Sequence, residues 1–156
     1  MATFSAGTPA TFTPVASTTD VNAAVLTVLT AGQLCKVKMI NWGGNGTSLV
    51  GYTTRWARVT NTAATPTARA ISSSNPGVTP IATCNTYSTA ATATADTYLC
   101  KENWNVQGGG GVVVLPIGGE WFCVGGALGT TYSQIGIGNL AGADANLSNY
   151  GTTWEE

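Results

Sequence analysis

TYLCKENWNVQGGGGVVVLPIGGEWFCV, residues 97–124, decides the fold class. Thr97 to Val106 reads as one strand, rich in residues that suit a pleated, half-buried surface. Gly108–Gly111 reads as a four-glycine turn. Val112–Leu115 is wholly apolar and reads as a core strand. Pro116-Ile117-Gly118-Gly119 reads as a second turn, and Glu120–Val124 returns as the partner of a hairpin. Trp121 and Phe122 are consecutive, so in a strand they point to opposite faces, and one of them meets solvent or a partner.

The same grammar extends both ways. Residues 34–41 alternate, with Lys36 and Lys38 on one face and Cys35, Val37 and Met39 on the other, which predicts a half-buried strand. Gly43-Gly44-Asn45-Gly46 then reads as a turn. Residues 21–30 fit a short helix capped by Asp20, but their Val and Thr content and the Ala31-Gly32 stop favour a strand. Residues 49–60 form another strand, with Tyr52, Trp56 and Arg58 on one parity and Arg55, Ala57 and Val59 on the other. Asn75-Pro76-Gly77 separates short strands near 68–72 and 78–86, Ser88–Asp96 reads as a loop, and residues 131–138 make a last strand. No strand–helix alternation appears, which argues against a parallel sheet. The expected fold is all-β: a single-domain antiparallel β-sandwich or jelly roll. Pro9 and Pro14 forbid a helix in an extended N-terminal arm over 1–20. The body spans 21–138, and a polar C-terminal tail spans 139–156.

Charge narrows the function. Only 8% of the 156 residues are charged and the net charge is −1, against roughly 25% charged in ordinary soluble domains. Such a surface is coated by Ser, Thr, Asn and Gly, or covered by other subunits, where charges are depleted. Lys36, Lys38, Arg55, Arg58, Arg69 and Lys101 are scattered, whereas nucleic-acid binding needs a concentrated positive field. No apolar stretch approaches the roughly 20 residues that span a bilayer. No secretory signal is visible after Met1, so synthesis in a cytoplasm is expected. Cys35, Cys84, Cys100 and Cys123 are then expected as buried free thiols.

Chemistry is sparse. There is no histidine, which removes the commonest general base and metal ligand. The cysteines form no CxxC pair. The glycine run lacks the Gly-Lys-Ser/Thr ending of a phosphate loop. No catalytic residue, cofactor or metal site is assigned. Glu102 and Glu120 would serve as a carboxylate pair only if they shared one cleft. Asp144, Asn146, Ser148, Thr152 and Glu155 match a calcium-loop spacing without flanking helices. Asn45-Gly-Thr47 and Asn146-Leu-Ser148 match the glycosylation sequon.

The aromatic residues remain. Phe4 and Phe12 are the arm's only large apolar anchors, Trp42 sits beside a glycine turn, Trp121 shares its strand with Phe122, and Trp154 lies near the end. These five are the expected interface residues; Trp56 and Trp104 are expected in the core. With its arms, low charge and Thr/Ala/Ser/Gly-rich loops, the chain resembles the small capsid decoration (cement) proteins of tailed bacteriophages. The resemblance is one of type over the whole chain and assigns no residue a role. It implies a virion location, binding to the major capsid protein, a bridge between capsomers and a homotrimer, with no nucleic acid and no membrane as partner. The alternative is a carbohydrate- or receptor-binding sandwich of tail-fibre or lectin type, or another minor head or tail protein.

Overall fold

The computed structural model describes residues 1–8, 24–28, 30–45, 51–61, 66–87, 93–105, 107–126, 133–139 and 148–156. Its strands are β1 (Thr3–Gly7), β2 (Ala24–Thr27), β3 (Leu34–Asn45), β4 (Gly51–Asn61), β5 (Pro66–Ala68) and β6 (Ser72–Ser73). They continue as β7 (Thr83–Tyr87), β8 (Ala93–Asn105), β9 (Gln107–Val114), β10 (Trp121–Val124), β11 (Gln134–Asn139) and β12 (Ser148–Glu155), and no helix occurs among the described residues. Two antiparallel sheets result. Sheet I has the order β10-β3-β12-β1-β6, with β9 also on β3; sheet II has the order β5-β7-β2-β11-β4-β8. The chain is an all-β sandwich, as its strand grammar predicts.

The sheets meet through Phe4, Ile40, Trp42 and Trp154 of sheet I and Leu26, Trp56, Ile135 and Ile137 of sheet II. Trp42 meets Trp56 edge-on across the sandwich, with ring centroids 5.0 Å apart. Phe4 stacks on Trp154 at 6.0 Å. Aromatic rings bury roughly 150–250 Å² each, so these four dominate the packing.

Both chain ends depart from the expected arm, body and tail. Thr3–Gly7 pairs along β12, with Phe4 opposite Trp154 and Gly7 opposite Gly151, and β12 pairs along β3. Ala2 and Glu156 exchange both backbone hydrogen bonds, at 3.0 and 3.1 Å. The Glu156 carboxylate accepts the N–H groups of Ile81, Ala82 and Trp154 at 2.6–2.8 Å. The reason is a short period-2 pattern at each end. Phe4 and Ala6, and Tyr150, Thr152 and Trp154, all point inward and are buried. Residues 9–20 and 140–147 lie outside the described residues.

The deciding stretch also folds differently from a hairpin. β8 begins at Ala93, so Ala93–Asp96 is strand rather than loop. The glycines of 108–111 belong to β9, and Gly43-Gly44-Asn45 to β3. Strands β9 and β10 do not pair with each other. Both pair with β3 in one line: Val114 opposes Met39, and Trp121 opposes Val37. Residues 115–120 leave this line opposite Lys38 and rejoin it. The turn inside them is real: the Gly119 N–H donates to the Pro116 carbonyl at 2.8 Å, and Gly118 takes φ 86°, as a type II turn requires. The excursion makes the chain continue, where a hairpin would reverse it.

A bulge on β3 shifts its inward set by one residue. Thr153 opposes Met39 and Trp154 opposes Val37, which leaves Lys38 between them. Cys35 and Val37 are buried before the bulge, Ile40 and Trp42 after it. Met39, expected with the buried set, is half-buried on the outer face for this reason.

Candidate functional site

The outer face of sheet I is the most distinctive exposed surface of the described residues. Four strands build it: Ser5 and Gly7 of β1; Asn149, Gly151 and Thr153 of β12; Met39, Asn41 and Gly43 of β3; and Gly110, Val112 and Val114 of β9. Its centre is an open groove of about 560 Å³, with Ala70 and Ser72 along one side. The floor is bare for a reason. A Cβ at Gly151 would collide with the Asn41 amide, and one at Gly43 would come 2.8 Å from the Asn149 amide. Both amides therefore lie flat across neighbouring strands. They offer donors and acceptors without charge, beside the hydroxyls of Ser5 and Thr153.

Toward β9 the face turns apolar. Val112 is 61% exposed, Val114 69%, and Ile117 on the excursion 95%. A strand edge of this kind presents backbone groups as well as side chains. The Leu115 N–H donates to the Lys38 carbonyl at 2.8 Å, which makes 38/115 a hydrogen-bonded pair. By alternation, 40/113 and 42/111 are bonded pairs as well. Gly110, Val112 and Val114 therefore aim their N–H and C=O groups away from β3, at an edge that pairs with no other strand among the described residues.

Charge gathers where the excursion rejoins the sheet. Lys38 Nζ lies 2.9 Å from Glu120 and 3.4 Å from Glu155. Glu120 also accepts the Gly118 N–H at 2.6 Å. The hydrogen bond from Lys38 is the main reason its carboxyl is held down to about 2, and the same bond raises Lys38. Lys36 sits 5.9 Å above the Phe122 ring, a cation–π distance.

The expected interface residues fall elsewhere. Phe4 and Trp154 are core residues, because β1 and β12 are strands inside sheet I. Trp42 is buried against Trp56, because Gly43 continues the strand where a turn was expected. Trp121 is half-buried and packs on the core; Phe122 is the member of that pair that faces out. Phe12 lies outside the described residues, as does the side chain of Trp104. Trp56 is in the core as expected. The residues that do form the open face, Val112, Val114 and Ile117, read in sequence as core strand and turn. Their signal was the absence of charge from Asn103 to Gly119.

Other candidate chemistry is not assembled. Glu102 lies on β8 of sheet II and accepts the Cys100 thiol at 3.5 Å, while Glu120 is engaged by Lys38 beside sheet I. Ser148, Thr152 and Glu155 are strung along β12, where about 3.3 Å per residue sets the ends roughly 23 Å apart. They cannot wrap one ion, and Thr152 is buried. Asp144 and Asn146 lie outside the described residues. No group of three or more His, Cys, Asp or Glu residues able to hold a metal occurs among the described residues. All four cysteines are free, and Cys35, Cys84 and Cys123 are buried. Burial pushes Cys84 up to about 11 and Cys123 to about 12, and raises Cys35 further. Such thiols are poor nucleophiles at neutral pH.

No family model, curated protein or solved structure matches the chain. The open face is therefore read from its own chemistry.

Proposed function

We propose that the protein is a non-enzymatic structural subunit of a virus particle, of the capsid decoration type. In this reading it is made in the host cytoplasm, binds the exterior of the major capsid protein and stabilises contacts between capsomers. The observation that carries the reading is the uncharged part of the outer face of sheet I, where a polar groove runs into exposed Val112, Val114 and Ile117. Solitary proteins rarely keep such a strip open, and exposed apolar patches mark contact sites. The closed sandwich with both ends tied into one sheet suits a rigid brace. The test is co-sedimentation with capsids that lack the protein, together with the melting temperature of those capsids. Saturable binding and a raised melting temperature are expected. Capsids that neither retain the protein nor gain stability would refute the reading.

A second reading has one observation in its favour. The groove between Asn41 and Asn149 offers amides and hydroxyls over a glycine floor, which suits an uncharged polar ligand such as a sugar. A glycan screen with Asn41→Ala as the control tests it. Binding that the substitution abolishes would move the assignment from brace to receptor-binding module.

A further inference from the structure

The β9 edge pairs with no other strand among the described residues. Its extended run is bounded on both sides. Gly108 takes φ 75°, which breaks the extended conformation. After Leu115, Pro116 has no N–H to offer a ladder. The run between these stops, 109–115, is centred on Val112. The groups aimed at the open edge belong to Gly110, Val112 and Val114, and these too are centred on Val112.

We infer that β9 pairs antiparallel with β9 of a second copy, about a two-fold axis through Val112. In this register Val112 faces its own copy, and Gly110 faces Val114 of the other subunit. Each isopropyl group of Val114 then lies over a glycine, so large meets small on both sides of the axis. The three edge-facing residues exchange about six backbone hydrogen bonds across the joint. No charge occurs between Glu102 and Glu120, so self-pairing brings no like charges together. Native edges usually prevent such pairing with a lysine, a proline or a bulge inside the strand; the register shift of β9 against β3 falls between Gln107 and Gly110, and Gly110–Val114 contains none of the three. An isologous contact of this kind closes as a dimer. The contact does not depend on the particle proposed above.

The test is sedimentation velocity of the full chain from about 1 µM to about 500 µM, a range that reaches weak association. A monomer–dimer equilibrium is expected. Val112→Lys places two ammonium groups at the axis and should weaken association roughly 100-fold or more, while Val112→Thr keeps the branched shape and the dimer. Val112 is exposed, so its variants fold, which a urea melt confirms. A nitroxide carried on a cysteine at position 112 should show strong dipolar broadening. At position 114 broadening should be weak, since the two labels stand about four residues, roughly 13 Å, apart along the ladder. A chain monomeric throughout, a trimer as the limiting species, a dimer indifferent to Val112→Lys, or equal broadening at both positions would each overturn the inference. A dimer that ignores capsids leaves this contact standing and removes the particle reading; a monomer that binds them does the reverse.

Discussion

The two outer faces of this sandwich are made of the same kind of strand and have opposite fates. On sheet II, Val25, Thr27, Arg55, Ala57, Val59 and Gln134 are all buried within the chain itself. That face has a small apolar cluster of its own, Val25 with Ala57 and Val59. On sheet I, the equivalent face is an open groove flanked by Val112 and Val114. A valine on the outside of a strand is thus a core residue in one sheet and an exposed residue in the other. Sequence parity alone does not separate the two, because β4 and β9 both carry apolar residues on their outward parity. What separates them is coverage, and coverage is a tertiary property. Sheet II is buried on both of its faces. Sheet I is buried on its inner face, and its outer face stays exposed at Val112 and Val114.

The largest expected effect comes from placing the same charge on each face. Val59→Lys would bury an ammonium group in a dry site and should cost on the order of 4 kcal/mol or prevent folding. Val112→Lys points into solvent in the monomer and should change stability by less than about 0.5 kcal/mol. Urea denaturation of both variants at a concentration where the chain is monomeric checks this. Similar costs for the two would mean that the faces do not differ in coverage.

How much of this was legible? The strand alphabet was. Trp56 and Arg58 share a parity as expected; Trp56 faces the core, and Arg58 reaches across to the Phe122 carbonyl at 2.7 Å. The Asn75-Pro76-Gly77 turn is where it was expected, with Gly77 at φ 87°. Pairing was less legible. Pro116-Ile117-Gly118-Gly119 is a correct turn signal, yet a turn does not say whether the chain reverses or returns to its line. Lys38 decides that here, since it occupies the bulge opposite the excursion and binds Glu120 within it. The ends are hard to read because Gly7, Gly151 and the threonines between the apolar residues look like tail composition. Their alternation with Phe4, Ala6, Tyr150 and Trp154 was the stronger signal. The glycine run misled for the same reason: glycine is common in turns, but it also marks a strand that something must approach closely.

That approach gives the next prediction, set one residue away from Val112 on the same strand. Gly111 lies under the Trp42 indole, and a Cβ there would stand 2.7 Å from the ring. Trp42 is wedged against Trp56, so it has little room to yield. Gly111→Ala should destabilise by about 1–3 kcal/mol through overpacking. At Gly51 a Cβ would meet nothing within 4 Å, so Gly51→Ala should stay within about 0.5 kcal/mol. Thermal melts of the two variants measure the contrast. Equal effects would mean that β9 is as loose on its inner side as on its outer side, and the neighbouring residues Gly111 and Val112 would lose their opposite roles.

The smallest effect tests the charged end of the open face. Glu120 is held down to about 2, mainly by the hydrogen bond from Lys38 and further by the Gly118 N–H. A carboxyl depressed in the folded state stabilises that state above its unfolded value, near 4.3. The contribution is lost as pH falls through the folded value near 2. Acidification over that window should therefore release the excursion from Lys38 while the buried core stays closed. Lys38→Met removes the main cause, so the Glu120 titration midpoint should rise toward the ordinary carboxylate range. It should stop short of that range, because the Gly118 N–H still favours the anion. Carboxyl resonances followed by NMR through the acid range report the midpoint directly. A midpoint unmoved by Lys38→Met would mean that the excursion is set by its own turn and owes nothing to β3. The charged end of the face would then be decoration on the excursion, and Ile117 would be displayed by Pro116 and Gly118 alone.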